Sequence, residues 1–292
     1  MPQLSFSKMH GAGNDYLYVD ATQGTPPVTA EHISRLSHRR FGIGSDGMIF
    51  LEAPRNGGDI RMRMHNADGS EGNMCGNALR CIAKLALDRG LVTNNPMTVE
   101  TNSGPKTVHC ETDADGRVVR VRADLDVPSF KPADIPMDYD GPEAVDLSLE
   151  AHAPELFDSI HSVGEGLSFT GVSMGNSHAV FFVEELTDDL VLGLGPVLER
   201  HRLFPERANI DFARIDARDR VTMRVWERGS GETLACGTGA CAVAVAGAKL
   251  GLLDRKVTVT LLGGELDIEW DDADRVWMTG PAEHVFEGVV EI

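Results

Sequence analysis

The sequence predicts two similar α/β halves produced by an internal duplication, and three observations support this fold class. A stretch of 30 residues occurs twice, at residues 62–91 and 223–252, without a gap. Each copy contains a strand pattern followed by a helix pattern. Other matching segments keep nearly the same separation along the chain, between 160 and 162 residues. The two halves therefore share one order of elements.

The two copies are identical at eight positions when they are aligned at a constant offset of 161. The identical pairs are Met62 and Met223, Arg63 and Arg224, Glu71 and Glu232, Cys75 and Cys236, Gly76 and Gly237, Ala83 and Ala244, Gly90 and Gly251, and Leu91 and Leu252. Eight identities in register indicate duplication rather than chance. Each copy thus carries one Cys-Gly step.

Apolar and polar residues alternate before each Cys-Gly step, which is typical of a strand with one buried face. The alternating apolar residues are Ile60, Met62 and Met64 in the first copy and Val221, Met223 and Val225 in the second. The residues with helical spacing after the first step are Leu79, Ile82, Ala83 and Ala86. Gly90 and Gly251 stand where a glycine in the left-handed conformation would end each helix.

Each cysteine is therefore predicted to lie just before, or in the first turn of, a helix. Unpaired backbone N–H groups and the positive end of the helix dipole occur there. Such a position lowers the pKa of a thiol and favours the reactive thiolate. We therefore expect Cys75 and Cys236 to be reactive.

Composition narrows the class of protein. The 292 residues are 42% hydrophobic and 25% charged, which is ordinary for a globular protein, and the formal net charge is −18. An acidic chain is a poor candidate for binding nucleic acid or an anionic membrane. We find no apolar run of membrane-spanning length and no signal-peptide pattern. Five scattered cysteines suggest thiols in a reducing compartment, so we predict a cytoplasmic protein.

The joining region between the halves is rich in proline, with the sequence P-S-F-K-P-A-D-I-P-M-D-Y-D-G-P. Such a composition is typical of a linker. We therefore place the first half at residues 1–127 and the second at residues 128–280. The pattern of the last residues, 281–292, suggests one more strand.

Two matched thiols suit proton transfer at a single carbon. One group can take a proton from the carbon while the other delivers a proton from the opposite side, which inverts the configuration. Backbone N–H groups at the two helix starts, at Gly76 and Gly237 with their neighbours Asn77 and Thr238, would hold a carboxylate. His178 and Glu227 are candidates for setting the protonation states of the thiols. We infer an amino-acid epimerase or racemase.

Other readings of the cysteines remain open at this point. Cys81, Cys110 and Cys241 are interpreted as structural. A zinc site would need a C-x(2–4)-C pair, and only Cys236 with Cys241 has that spacing, without a flanking pair of histidines. A pyridoxal-phosphate enzyme is disfavoured because no glycine-rich phosphate loop precedes a helix near a candidate lysine. We therefore predict no cofactor and no metal.

Several segments resemble the diaminopimelate epimerases, a cofactor-independent family of lysine and peptidoglycan precursor synthesis. They are K-M-H-G-A-G-N-D, N-A-D-G-S-E-G-N-M-C-G-N-A-L-R-C, S-M-G-N-S-H, F-P-E-R-A-N, E-R-G-S-G-E-T-L-A-C-G-T-G-A-C and M-T-G-P-A. The resemblance implies a curled, mostly antiparallel sheet around a central helix in each half. It also implies an active site in the cleft between the domains, and a last strand that returns to the first domain.

The resemblance further implies an acid/base pair, Cys75 and Cys236, and a set of substrate-binding residues. That set is Asn14, Asn66, Gly76, Asn77, Asn176, Asn209, Glu227, Arg228, Gly237 and Thr238. Several family members carry a glutamine at the position of Gly47, where a side-chain contact is impossible here. Ser177 replaces a proline common in the family.

The expected activity is therefore an isomerase reaction that interconverts LL- and meso-diaminopimelate. We predict a small-molecule amino-acid substrate as the partner, no nucleic acid, no membrane, and a homodimer as the candidate assembly. Two alternatives remain. One is a proline or hydroxyproline racemase-like enzyme, and the other is a non-catalytic thiol or metal-binding protein.

Overall fold

A computed structural model of the chain describes residues 2–156 and 166–292. The chain divides into two compact units, Met1–Asp124 with Thr279–Ile292, and Leu125–Met278. The predicted boundaries after residues 127 and 280 lie three and two residues beyond those of this division. In the described residues, no helix combines the length and the apolar character needed to cross a membrane.

The first unit consists of one sheet and two helices. Its elements are β1 (Gln3–Gly11), β2 (Asn14–Ala21), α1 (Ala30–Ser37), β3 (Gly47–Glu52), β4 (Ile60–Asn66), β5 (Glu71–Gly72), α2 (Gly76–Asp88), β6 (Met97–Thr101), β7 (Gly104–Thr112), β8 (Val118–Asp124) and the last strand, Glu283–Glu291.

The sheet of the first unit runs from the last strand through β1, β2, β3, β4, β6 and β7 to β8. The pairings β2–β3 and β4–β6 are parallel, and the others along this order are antiparallel. Helix α2 contacts strands near both ends of the order, including β1 and β8. One helix can reach both ends only if the sheet curls around it, as the resemblance implies.

The second unit repeats the strands and the central helix of the first and adds several short helical segments. Along it, and up to Gly280, the elements are a 3₁₀ turn (Pro132–Asp134), β9 (Leu147–Ser148), α3 (Leu149–His152), a second 3₁₀ turn (Pro154–Leu156), β10 (Ser168–Ser173), β11 (Ser177–Phe182), a π-helical segment (Asp189–Leu194), α4 (Gly195–Glu199), β12 (Asn209–Ala217), β13 (Arg220–Glu227), β14 (Gly231–Glu232), α5 (Gly237–Lys249), β15 (Lys256–Leu261), β16 (Gly264–Trp270) and β17 (Val276–Gly280).

The strand pairings of the second unit repeat those of the first. From β10 through β11, β12, β13 and β15 to β16 they are antiparallel, parallel, antiparallel, parallel and antiparallel. The same series describes β1 through β2, β3, β4 and β6 to β7. Helix α5 packs against β10, β11, β12, β15 and β16. The predicted duplication and fold class are thus confirmed.

The local predictions for each repeat also agree with the structure. Strands β4 and β13 bury alternate residues, with the apolar side chains inside. Helices α2 and α5 each begin one residue after a cysteine. Gly90 and Gly251 follow the C-caps with φ of 66° and 73°, the left-handed conformation that ends each helix.

Candidate active site

Cys75 is the N-cap residue of α2. Its backbone is extended, with φ −132° and ψ 123°, and its carbonyl accepts the first helical hydrogen bond from the Leu79 N–H at 2.8 Å. The half-buried thiol donates to Oδ1 of Asn14 at 3.3 Å. The first predicted acid/base residue therefore stands at a helix start, next to a predicted substrate-binding asparagine.

Asn14 is held at this place by a two-residue turn between β1 and β2. Gly11 pairs with Asn14, and the residues between them, Ala12 and Gly13, have φ of 53° and 86°. Two successive left-handed residues are typical of a type I′ hairpin, which matches the twist of the strands. The turn makes Asn14 the first residue of β2, and its Nδ2 donates to Oδ2 of Asp46 at 2.8 Å.

Asp46 belongs to a charged cluster that our sequence analysis missed. Arg39 Nη2 lies 2.6 Å from Oδ1 of Asp46 and 2.6 Å from Oδ1 of Asp15. Lys8 contacts the Asp15 carboxylate and the carbonyl of Gly44. Burial raises the pKa of the Asp46 carboxyl. Burial acts to raise the pKa of the Asp15 carboxyl as well, but hydrogen bonds from Arg39 and Lys8 lower it overall.

The rest of the predicted set in the first unit divides into buried and exposed residues. Gly76 and Asn77 are buried in the first turn of α2, and Oδ1 of Asn77 accepts from Arg80 Nη2 at 2.9 Å. Arg80 is itself wholly buried and also donates to the carbonyl of Pro281 at 3.1 Å. Asn66 is exposed at the end of β4, and its amide donates to Ser70 Oγ at 3.0 Å.

Gly47 begins β3 with φ of 151°, in a region of the backbone map that favours glycine. A Cβ added there would overlap the carbonyl oxygen of His65. The backbone of this position therefore excludes a side chain altogether.

Cys236 occupies the same place in the second unit. It is the N-cap of α5, and its Sγ accepts from the Gly239 N–H at 3.3 Å. The Thr238 hydroxyl lies 3.5 Å from the sulfur. Unlike Cys75, this thiol is buried, with 6% of its surface exposed. The backbone geometry at the two cysteines is alike, but their solvent exposure differs.

The prediction of a lowered thiol pKa is wrong for Cys236. Burial raises the pKa of this thiol well above its ordinary value, and the negative charges of Glu227 and Asp211 add to the effect. Hydrogen bonds from Thr238 and from the Gly239 backbone act in the opposite direction but are weaker. The positive end of the helix does not overcome desolvation and the charges of two nearby carboxylates.

His178 links Asp211 to the neighbours of Cys236. Its Nδ1 lies 2.7 Å from Oδ2 of Asp211, and its Nε2 lies 3.1 Å from both Asn176 Oδ1 and Thr238 Oγ1. Because a carboxylate only accepts, the proton of a neutral imidazole stays on Nδ1. Nε2 then accepts from the Thr238 hydroxyl, or donates when the ring is charged. His178 therefore acts on Cys236 through Thr238.

Asn209 begins β12, beside the end of β13, where Glu227 and Arg228 follow each other. Asn209 is buried, donates to the Ser177 carbonyl at 2.9 Å, and accepts from the backbone N–H of Arg228 at 3.0 Å. The Arg228 guanidinium is exposed and donates to the Glu206 carbonyl at 3.2 Å. Glu227 accepts from the Thr233 hydroxyl. The predicted residues of the second unit thus form one group.

Tyr16 occupies in the first unit the place that His178 has in the second (178 − 16 = 162). Both residues are buried, two positions after the asparagine of a Gly-Asn step. Burial raises the pKa of the Tyr16 phenol, and the Cys75 thiol, which lies within reach of a hydrogen bond, raises it further. The two cysteines therefore have chemically different neighbours at one equivalent position.

The other three cysteines are buried thiols. Burial raises the pKa of both Cys81 and Cys110 to about 11, so neither is a reactive thiolate at neutral pH. Among residues 2–156 and 166–292, no group of three or more His, Cys, Asp or Glu side chains is arranged to hold a metal ion. Independence of metal and cofactor stays a prediction.

A family model described as diaminopimelate epimerase matches residues 6–127 and 170–285, which include both cysteine segments. The chain belongs to the diaminopimelate epimerase family. Family membership confirms the resemblance and makes the protein an isomerase. Full-length relatives support the same assignment. The diaminopimelate epimerase of Leptospira biflexa is 44% identical over 99% of this chain and 100% of its own length. That of Moorella thermoacetica is 46% identical over 98% of both chains.

Solved structures show the same fold at low sequence identity. A phenazine biosynthesis protein from Bacillus anthracis superposes with a TM-score of 0.71 and 19% identity over 100% of both chains. A probable proline racemase from Agrobacterium radiobacter gives a TM-score of 0.66 and 18% identity over 99% of this chain and 92% of its own. At these identities the likeness concerns the fold alone.

Proposed function

We propose that this member of the family interconverts LL- and meso-diaminopimelate by two-base proton transfer, with Cys75 and Cys236 as the acid/base pair. The observation that carries the proposal is the equivalent placement of the two thiols. Each is the N-cap of the central helix of a duplicated unit. Relatives of 44–46% identity over the full length bear the name of this activity.

The reaction transfers two protons and leaves the composition of the substrate unchanged. A thiolate takes the α-proton, so that a C–H bond breaks and an S–H bond forms. The second thiol then protonates the carbanion on its other face, where an S–H bond breaks and a C–H bond forms. This mechanism requires the two sulfur atoms to approach opposite faces of one carbon within about 3–3.5 Å.

The weak acidity of the α-proton is the main chemical difficulty of this reaction. Preorganised hydrogen-bond donors reduce it by stabilising the negative charge that develops. The backbone N–H groups of Gly76 and Asn77, and those of Gly237 and Thr238, lie in the first turns of α2 and α5. There they can hold the α-carboxylate and stabilise charge as it moves onto that group. No cofactor is needed for this role.

The remaining predicted residues would recognise the distal amino-acid head of the substrate. A guanidinium, a carboxylate and several amides suit a group with one ammonium and one carboxylate. The residues proposed for binding are Asn14, Asn66, Asn176, Asn209, Glu227 and Arg228. They lie at strand ends and in turns, and hydrogen bonds to neighbouring groups order several of them.

The burial of Cys236 suggests which thiol starts as the acid. Desolvation and two nearby carboxylates keep Cys236 protonated. Cys75 is half-buried and has an amide neighbour, so it is the better candidate for the initial base. We therefore expect the epimer whose α-proton faces Cys75 to react without a prior proton rearrangement in the enzyme.

Proline and hydroxyproline are the competing substrates, because similar folds occur among proteins with those names. Their small, apolar ring has no distal charged head. The amide, carboxylate and guanidinium groups of the second unit would then lack a partner. The diaminopimelate reading accounts for these groups, and the proline reading does not.

A substrate screen in D₂O tests the proposal directly. The purified protein, without added cofactor, is incubated separately with LL-diaminopimelate, L-proline and trans-4-hydroxy-L-proline. Deuterium at the α-carbon and inversion are followed by NMR and chiral chromatography. We expect exchange and inversion of diaminopimelate alone. Inversion of proline would favour the racemase reading, and no exchange with any substrate would favour a non-catalytic thiol or metal-binding protein.

The cellular setting follows from this activity. We propose a cytoplasmic enzyme of lysine and peptidoglycan precursor synthesis, supported by five cysteines that form no disulfide with one another. A homodimer through the last strand is the proposed assembly, because Val285, Phe286 and Val289 on that strand are exposed apolar side chains. Sedimentation of wild type and Val289→Lys at equal concentration tests it. A shift to monomer in the variant is expected.

A further inference from the structure

Asn14 has two ends that differ chemically, and its neighbours decide which end faces Cys75. Its Nδ2 lies 2.8 Å from Oδ2 of Asp46, and its Oδ1 lies 3.3 Å from the sulfur. An ionised carboxylate only accepts hydrogen bonds, so it fixes the NH₂ group on its own side. The carbonyl oxygen of the amide is thereby turned to the thiol.

Several hydrogen bonds hold the Asp46 side chain in place. Its Oδ2 also accepts from the Asp15 N–H at 3.0 Å, and its Oδ1 accepts from Arg39 Nη2 at 2.6 Å. The Asp46 N–H in turn donates to the Asp15 carbonyl at 2.7 Å. Each of these donors requires an acceptor at the carboxylate. Both oxygens of Asp46 therefore accept hydrogen bonds, and the side chain is held in one orientation.

We infer that Asp46 is a positioning residue, which orients the Asn14 amide so that Cys75 becomes a stronger base. When Cys75 takes a proton, the new S–H needs an acceptor, and Asn14 Oδ1 provides it. A hydrogen bond to the protonated form raises the proton affinity of the sulfur. This deepens the proposed function and rests on it, because it assigns Cys75 the role of base.

The second unit contains a related arrangement. Asp211 is wholly buried and holds His178 at 2.7 Å, and His178 contacts Asn176 at 3.1 Å. In both units a carboxylate thus orients the polar group beside the cysteine. In the first unit the carboxylate acts on the asparagine directly, and in the second it acts through an imidazole.

The test compares Asp46→Asn with wild type in two measurements. In Asp46→Asn the neighbour of Asn14 has its own NH₂ group, so the Asn14 amide can turn its NH₂ toward the sulfur. The thiolate is then stabilised, and we expect about threefold to tenfold more thiolate of Cys75 at a given pH. The pH profile of iodoacetamide alkylation, read by mass spectrometry of the Cys75 peptide, measures this ratio without substrate.

Epimerisation should change in the opposite direction. A weaker base removes the α-proton more slowly, so kcat of Asp46→Asn is expected to fall about tenfold while Cys75 becomes more ionised. A fall in kcat without a shift of the alkylation profile in a folded variant would assign Asp46 a purely structural role. Tyr16 and Tyr18 on β2 and Cys81 on α2 interact electrostatically with Cys75, and none of these three residues is substituted in the test.

Two further variants make the test specific. In an Asn14→Ala background, Asp46→Asn should leave the Cys75 profile unchanged, because the amide that transmits the effect is absent. Asp20→Asn, which changes an exposed aspartate of the same strand, is the control and should match wild type. If Asp46→Asn does not fold, Asp46→Ser replaces it. An unshifted alkylation profile in a folded Asp46 variant would overturn the inference, even if the protein proved not to act on diaminopimelate.

Discussion

At the scale of single residues, the two thiols of this duplicated protein are not equivalent. Cys75 is half-buried and donates to an amide oxygen, whereas Cys236 is buried between two carboxylates and accepts from a backbone N–H. The same backbone position therefore supports two different thiols. This asymmetry suits a pair in which one member must start ionised and the other protonated.

At position 47 the conformation of the backbone requires a glycine. We expect Gly47→Ala to destabilise the protein by more than about 2 kcal/mol, because the added Cβ overlaps the His65 carbonyl in a glycine-type conformation. Gly57→Ala is the matched control, since Gly57 has φ of 85° and open space around the added atom. Urea denaturation measures both. Equal losses in the two variants would show that the overlap is relieved at no cost.

Arg228 is a position at which a substitution is expected to change substrate binding but not stability. Its guanidinium is exposed, so Arg228→Ala should leave the free energy of unfolding within about 0.5 kcal/mol of wild type. If it holds a substrate carboxylate, KM should rise tenfold or more. Arg218→Ala, which removes an exposed arginine paired with Asp254, serves as the control. An unchanged KM with a lower melting temperature would assign Arg228 a structural role.

At the scale of elements, the strand and helix of each repeat could be predicted because their apolar residues follow simple periods. Gly90 and Gly251 likewise marked the helix ends. The charged cluster of Lys8, Asp15 and Asp46 could not be predicted, although Lys8 and Asp15 lie in a recognised motif. Side chains from separate segments meet there, and a one-dimensional pattern contains no signal for that. The raised pKa of Cys236 could not be predicted from the sequence for the same reason.

The start of α5 shows how an element adapts to its neighbours. The first unit has Ala78 where the second has Gly239 (239 − 161 = 78). A Cβ on Gly239 would lie 2.6 Å from Oδ1 of the buried Asp211 and 3.3 Å from the Cys236 sulfur. The glycine is therefore required by the aspartate beneath it.

We expect Gly239→Ala to reduce kcat at least tenfold, because either the sulfur or the carboxylate must move. A displacement of about 1 Å at a reacting group can cost a hundredfold in rate. Ala78→Gly, the reciprocal change in α2, should lose no more than about 1 kcal/mol of stability and keep most activity. Steady-state kinetics on both variants provide the comparison. Full activity in Gly239→Ala would mean that the helix start is not tightly packed.

At the scale of the whole molecule, buried thiols make the free energy of unfolding decrease at alkaline pH. Burial raises the pKa of Cys81 from 9.0 to about 11. The folded state thus keeps a proton that the unfolded chain loses. The contribution of this thiol to stability is complete below pH 9 and is lost as the pH rises toward 11.

The expected loss from Cys81 over this interval is about 2 kcal/mol. Denaturant titrations at pH 8, 9, 10 and 11 on wild type and Cys81→Ala measure it. The variant starts less stable because of the cavity, but its stability should fall less steeply between pH 9 and 11. Parallel curves for the two proteins would mean that Cys81 is not the titrating group.

The central claim is that one of the two thiols removes the α-proton and the other protonates the opposite face of the same carbon. Isotope incorporation by wild type, Cys75→Ala and Cys236→Ala in D₂O tests this claim most directly. LL-diaminopimelate is followed through early turnover by NMR. A two-base enzyme places deuterium in the meso product while the recovered substrate keeps its proton, and each alanine variant should lose inversion while remaining folded. Wild-type inversion by either variant, or deuterium appearing first in recovered substrate, would contradict the account.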